Sequence, residues 1–157
     1  MVLPVLDPDH RMSELEESIH VRIQGLCSRG EDLADDGNYG EALDVFWSAW
    51  DLLPEPKTAW DASTWILAAI GDVNSQQGNF EAGRDNLTMA MHCPDAIGNP
   101  FLHLRLGQCQ FELGNLDRAA DELARALLLE SPKLFESEDP KYLQFIKGRL
   151  KAPPVGW

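Results

Sequence analysis

Three times in this chain a glycine stands seven residues ahead of a Gly-Asn pair: Gly30 before Gly37 and Asn38, Gly71 before Gly78 and Asn79, Gly107 before Gly114 and Asn115. Counted from the second glycine, a small residue follows at five (Ala42, Gly83, Ala119), a large apolar one at nine (Phe46, Leu87, Leu123) and alanine at twelve (Ala49, Ala90, Ala126). Prolines close the units at Pro54, Pro94 and Pro132. These offsets describe two antiparallel helices per unit, joined by a Gly-Asn turn and crossing closely where the side chains are small. One helical hairpin cannot bury its apolar face alone, whereas stacked hairpins share a core. The repeat therefore predicts an all-α solenoid.

Over residues 23–131 this pattern resembles the tetratricopeptide repeat (TPR). The resemblance implies a helical-hairpin solenoid of three repeats with a C-terminal capping helix. Gly83 stands where the family usually has Ala, Leu116 where it has an aromatic residue, and the proline drifts. The repeats are spaced by 41 and then 36 residues, against about 34 in the family. The extra length falls in "LLPEPKTAWDASTW" and "CPDAIGNP", which makes those connections candidate functional loops.

Local signals place the helices. Ser13 with Glu16 forms a capping box, and Leu15, Ile19, Ile23 and Leu26 carry a long first helix to about Asp36. Asn99-Pro100 opens the first helix of the third repeat, and Asp139-Pro140 opens a terminal helix running to about Leu150. Tyr142, Leu143, Phe145 and Ile146 would let that helix cover the last repeat's apolar face. The expectation is one domain over residues 1–157 with seven or eight helices. Repeats span about 11–53, 58–94 and 99–131, a cap 139–150, and an extended tail 151–157 whose Trp157 is docked or frayed.

Charge narrows the partners. The net charge is −13, and residues 7–61 carry 14 Asp/Glu against 4 Lys/Arg, while residues 131–157 carry 3 against 5. Such a chain repels phosphates and anionic lipid, so neither nucleic acid nor membrane is an expected partner, and a basic protein surface is. No apolar run is long enough to span a bilayer. "MVLPVLDPDH" lacks the basic start and apolar centre of a secretory signal. An odd three cysteines without close pairing predict thiols. Together these predict a cytoplasmic protein.

No motif supports catalysis, and neither cofactor nor metal is expected. No phosphate-binding glycine loop, His-Glu-x-x-His or Cys-x-x-Cys occurs. His103 and Cys109 are six apart on one helix and point to different faces. Cys27, Cys93 and Cys109 read as packing residues, His92 as helix-end polarity, and the acidic clusters "ELEE" and "ESED" as solvated faces.

Binding remains, and the resemblance says where. In the TPR family the first helix of each repeat lines a groove. The matching positions are Gln24, Cys27, Glu31, Ala34 and Asp35, then Trp65, Ala68, Asp72, Ser75 and Gln76, then Phe101, Leu104, Gln108, Phe111 and Glu112. None is Lys, Arg or Asn, so the carboxylate clamp by which some members hold chaperone C-termini is not expected. Trp47, Trp50, Trp60 and Trp65 cluster within nineteen residues. Trp47 and Trp50 read as at least half buried in the fold, and Trp60 as an interface residue in a long connection. The candidate partner-binding set is Glu31, Asp35, Trp60, Trp65, Asp72, Gln76, Phe101, Gln108 and Glu112.

Two functional classes follow. "AIGNPFLHLRLGQCQFELGNLDRAADELARAL" followed by "FESEDPKYLQFI" is similar to stand-alone bacterial TPR immunity proteins, which implies neutralisation of a secreted antibacterial toxin, here one with a basic domain. As the alternative to that leading expectation, the length and acidity also resemble the three-repeat chaperones of type III translocators, which hold an extended peptide. A structural adaptor is a third reading.

Overall fold

A computed structural model describes residues 15–150. Its helices are α1 (Glu17–Asp35), α2 (Tyr39–Asp51), α3 (Asp61–Gln76), α4 (Phe80–Ala90), α5 (Pro100–Glu112), α6 (Leu116–Leu129) and α7 (Pro140–Arg149), with short 3-10 turns at Lys57–Ala59 and Pro132–Phe135. No strand occurs among the described residues. None of the described helices is long and apolar enough to cross a membrane.

The three Gly-Asn turns are built alike. Asp36, Gly37 and Asn38 leave α1 with the Asn38 N–H donating to the Leu33 carbonyl (2.8 Å) and the Gly37 N–H to that of Ala34 (3.0 Å). The same pair of bonds recurs at Gly78-Asn79 and Gly114-Asn115. It is the Schellman closure, and its left-handed residue has φ +80, +78 and +80 at the three glycines, where a Cβ would be strained. Each Asn carbonyl then accepts the first bond of the next helix, from Ala42, Gly83 and Ala119. One turn thus ends one helix and starts its antiparallel partner.

The earlier glycine of each set explains how tightly the hairpins close. A Cβ on Gly30 would lie 2.7 Å from the Phe46 ring, one on Gly107 2.7 Å from Leu123, and one on Gly71 would collide with Leu87. All three large partners are essentially fully buried, as are Ala42, Ala49, Ala90, Ala119 and Ala126. The apolar interior runs from Ile23, Phe46, Ile66 and Ile70 at one end to Leu104, Leu123, Phe135, Tyr142 and Ile146 at the other. Tyr142 and Ile146 belong to α7, which covers the third repeat as its sequence requires.

The two long connections are tied down. Lys57 Nζ caps the end of α2, donating to the carbonyls of Leu53 (2.8 Å), Trp50 (3.2 Å) and Asp51 (3.4 Å). In the second, the Thr64 hydroxyl donates to the Pro94 carbonyl (2.7 Å), and Cys93 and Ala96 are buried. Asn99 caps α5 through the Phe101 and Leu102 amides, and Asp139 caps α7 through Lys141.

One expectation needs correction. α1 begins at Glu17, not at a capping box led by Ser13, which lies outside the described residues. Glu16 has extended backbone (ψ 136), and its carbonyl accepts the first helical bond, from His20, so a helix cannot already be running there. Trp47 is more than half buried, as the sequence predicts, but keeps 36% exposure because Ala42, Phe46 and Ala49 define the inward face of α2 and Trp47 is turned off it, edge-on to half-buried Trp50. Trp157 and the 151–157 tail lie outside the described residues.

Candidate protein-binding groove

The first helices of the three repeats, α1, α3 and α5, lie side by side and line one groove. Its open part is a cleft of about 270 Å³. Glu31, Ala34 and Asp35 enter from α1, Trp65, Ala68, Asp72 and Gln76 from α3, and Phe101 from α5, over the buried side chains of Phe46 and Val73. Helical spacing accounts for the grouping: Glu31 and Asp35 are one turn apart, as are Trp65, Ala68 and Asp72. Trp65 is 47% exposed and meets the His20 ring edge-on at 5.7 Å. Glu31 and Asp35 are exposed and have no ion-pair partner among the described residues. Among the described residues, the cleft therefore joins aromatic surface to negative charge that no cation pairs.

A second recess of about 240 Å³ continues from the first, sharing Asp72 and Gln76 and adding Ser75, Phe80, Arg105, Gln108, Glu138 and Tyr142. Arg105 is its hub. Nε donates to Asp72 Oδ1 (2.7 Å), Nη1 to Gln108 Oε1 (2.9 Å) and to Glu138 Oε1, and the guanidinium lies 4.9 Å from the Phe101 ring centroid. Gln108 also donates to Glu138 (2.8 Å), and Gln76 donates to Asp72 (2.9 Å).

Beyond this recess α7 takes over the third repeat's groove face. The Tyr142 hydroxyl donates to Glu112 (2.7 Å), Lys141 Nζ pairs with the same carboxylate (2.5 Å), and the rings of Tyr142 and Phe145 lie 5.4 and 5.1 Å from that of Phe111. Burial alone would raise the Glu112 pKa, but the bonds from Lys141 and Tyr142 outweigh it and hold it below the usual carboxylate range. Glu138 is lowered in the same way, burial being overcome by Gln108 and Arg105. Burial and Glu112 together push the Tyr142 phenol up. Both depressed carboxylates stabilise the docked α7 fully above the unfolded value of about 4.3. That contribution is lost as pH falls through the lower folded values. Amide exchange should show α7 losing protection relative to α1 and α2 as pH drops from about 5 to 3. A constant ratio would sink this assignment.

Of the candidate set, then, Glu31, Asp35, Trp65, Asp72, Gln76 and Phe101 share one cleft. Gln108 is buried in the adjoining recess, and Glu112 is engaged by α7. Trp60 stands apart. It precedes α3, packs half-buried on the first core, and donates its indole N–H to the Pro54 carbonyl (2.8 Å). Sequence alone does not single out Arg105 or Glu138. Arg105 lies one turn beyond Phe101, which is a usable signal. Glu138 sits in "ESED", and nothing local marks it as buried against a helix 33 residues away.

Among the described residues, the cysteines and His103 are held by burial and by their own partners. Burial pushes the Cys27 and Cys93 thiols up to about 11 and raises that of Cys109, so none is an activated nucleophile. His103 Nδ1 pairs with Glu122 (2.5 Å) while Nε2 accepts the Gly98 N–H (3.0 Å), which occupies both ring nitrogens. Elsewhere, a depression of about 450 Å³ between α4, α5 and α6 is lined by Met91, His92, Arg118, Asp121 and Glu122 among others, and among the described residues its only ring is the His92 imidazole.

This is the TPR fold. Neither a family model nor a curated protein sequence matches the chain. Among solved structures, the type III secretion chaperone SycD of Yersinia enterocolitica, in complex with a peptide of the translocator YopD, aligns with TM-score 0.66 at 17% identity, covering 85% of this chain and 95% of that one. The second TPR domain of human RPAP3, in complex with the HSP70 peptide SGPTIEEVD, aligns with TM-score 0.63 at 17% identity over 85% and 99% of the two chains. PcrH of Pseudomonas aeruginosa gives 0.63 at 18% identity over 87% and 96%. At these identities the likeness is one of fold.

Proposed function

We propose that this protein is a non-catalytic binding module whose groove holds a basic polypeptide segment bearing a bulky apolar side chain. The observation that carries the reading is the cleft itself: Trp65 and Phe101 flank an opening rimmed by the exposed carboxylates of Glu31 and Asp35, which pair with no cation among the described residues. An apolar anchor would desolvate against the rings while flanking lysines or arginines meet the rim. SycD and RPAP3, which share the fold, each hold a peptide. The secretion-chaperone reading draws support from that parallel. An immunity protein that blocks a basic toxin domain is the second reading, favoured by acidity that extends well beyond the groove and by the exposed Trp47 on the outer face of α2. A structural adaptor would use the same cleft without releasing its partner.

A fluorescein-labelled basic peptide carrying two leucines, and a second in which Glu replaces every Lys and Arg, test the shared core of these readings. The basic peptide should bind, more weakly as salt rises, and Glu31→Gln with Asp35→Asn should weaken it by about tenfold. Equal binding of both peptides, or none, would refute the reading. The product of an adjacent reading frame then separates the clients: a translocator favours the chaperone, a folded basic toxin the inhibitor.

A further inference from the structure

We infer that Glu138 is an internal counter-ion that, with Asp72, occupies Arg105 and thereby sets the groove's preference for basic over acidic ligands. The inference deepens the groove reading above and rests on it. Arg105 is the one Lys or Arg lining either the open cleft or the adjoining recess among the described residues. Left alone, a guanidinium stacked on Phe101 at the mouth of a polar recess would bind carboxylates, because its planar fork suits them. It is not left alone. Asp72 takes Nε and Glu138 takes Nη1, while Gln108 bonds to both Arg105 and Glu138 and fixes the spacing.

The source of Glu138 matters. Asp72 comes from a repeat helix, but Glu138 comes from the turn that precedes α7, outside the repeats. The Glu112 contacts of Lys141 and Tyr142 hold that turn against α5 independently of Arg105. Arg105 and Glu138 side chains are only 17% and 16% exposed, so water screens the pair weakly and an entering carboxylate would have to displace Glu138. Counting Arg105, Asp72 and Glu138, the recess carries one net negative charge. Glu138→Gln makes it neutral, Asp72→Asn with Glu138→Gln makes it positive, and Arg105→Gln makes it more negative.

The two peptides above, measured by polarisation against the full chain and these variants, test the idea. Glu138→Gln should improve acidic-peptide binding by about tenfold and weaken the basic peptide, the double variant should reverse the preference, and Arg105→Gln should tighten the basic peptide. Circular dichroism and melting report whether each variant is folded. Because Arg105→Gln and Glu138→Gln shift affinity in opposite directions, either one alone suffices should the other unfold. Affinities that stay within about twofold of wild type in folded variants overturn the role of Glu138. Failure of wild type to bind the basic peptide overturns the groove reading itself, and the acidic-peptide gain in the variants is scored separately from it.

Discussion

Leu87→Ala should destabilise the protein by about 2–5 kcal/mol, among the largest effects available to a single side chain here. Leu87 is fully buried at the centre of the second hairpin and packs directly on Gly71, where a Cβ would collide with it. Truncation opens a cavity that two rigid helices cannot close. Gly71→Ala alone should cost about 1–3 kcal/mol by the opposite fault, overpacking against an intact Leu87. Combined, the two changes compensate, because the new Cβ of residue 71 enters space that Leu87 has vacated. Urea melts of the two single variants and the double should give a favourable coupling of about 0.5–3 kcal/mol. Additive losses would mean that the glycine and leucine do not meet as described. The corresponding pairs, Gly30 with Phe46 and Gly107 with Leu123, should couple with the same sign.

That contact is also why the architecture was legible. A left-handed turn and a helix crossing too close for a Cβ each demand glycine, so Gly37, Gly78 and Gly114 on one hand and Gly30, Gly71 and Gly107 on the other leave a mark that polar variation cannot erase. The repeat resemblance counts its groove positions from these marks, and six of the nine candidate residues share a cleft. The remainder depended on contacts without local signature. Trp60 stands in a long connection, yet Lys57 and the Pro54 carbonyl fold that connection back on the core. Glu112 and Phe111 occupy groove positions in the sequence, whereas α7 meets both with a tyrosine, a lysine and a phenylalanine. Charge counts treated Glu138 and Asp72 as free acid, although one arginine between them makes a network spanning α3, α5 and the turn before α7. Net charge describes long-range attraction well and says little about which carboxylates are spent internally.

Rate measurements should divide the groove's side chains into two groups. Trp65→Ala should speed dissociation of the basic peptide and cost about 2 kcal/mol or more, since a half-exposed indole beside Phe101 offers rigid apolar area that a ligand can complete. Phe101→Ala should act in the same direction. It also removes the ring beneath Arg105, so its effect should spread to the acidic peptide, as that of Trp65→Ala should not. Glu31→Lys with Asp35→Lys should instead slow association and flatten its salt dependence, because exposed rim charges steer encounter more than they hold the complex. Both sites are on exposed turns of α1, so these variants should keep the wild-type melting behaviour. Stopped-flow traces over a range of salt separate the two contributions. If Trp65→Ala leaves the dissociation rate unchanged in folded protein, the aromatic flank of the cleft is not where the ligand sits.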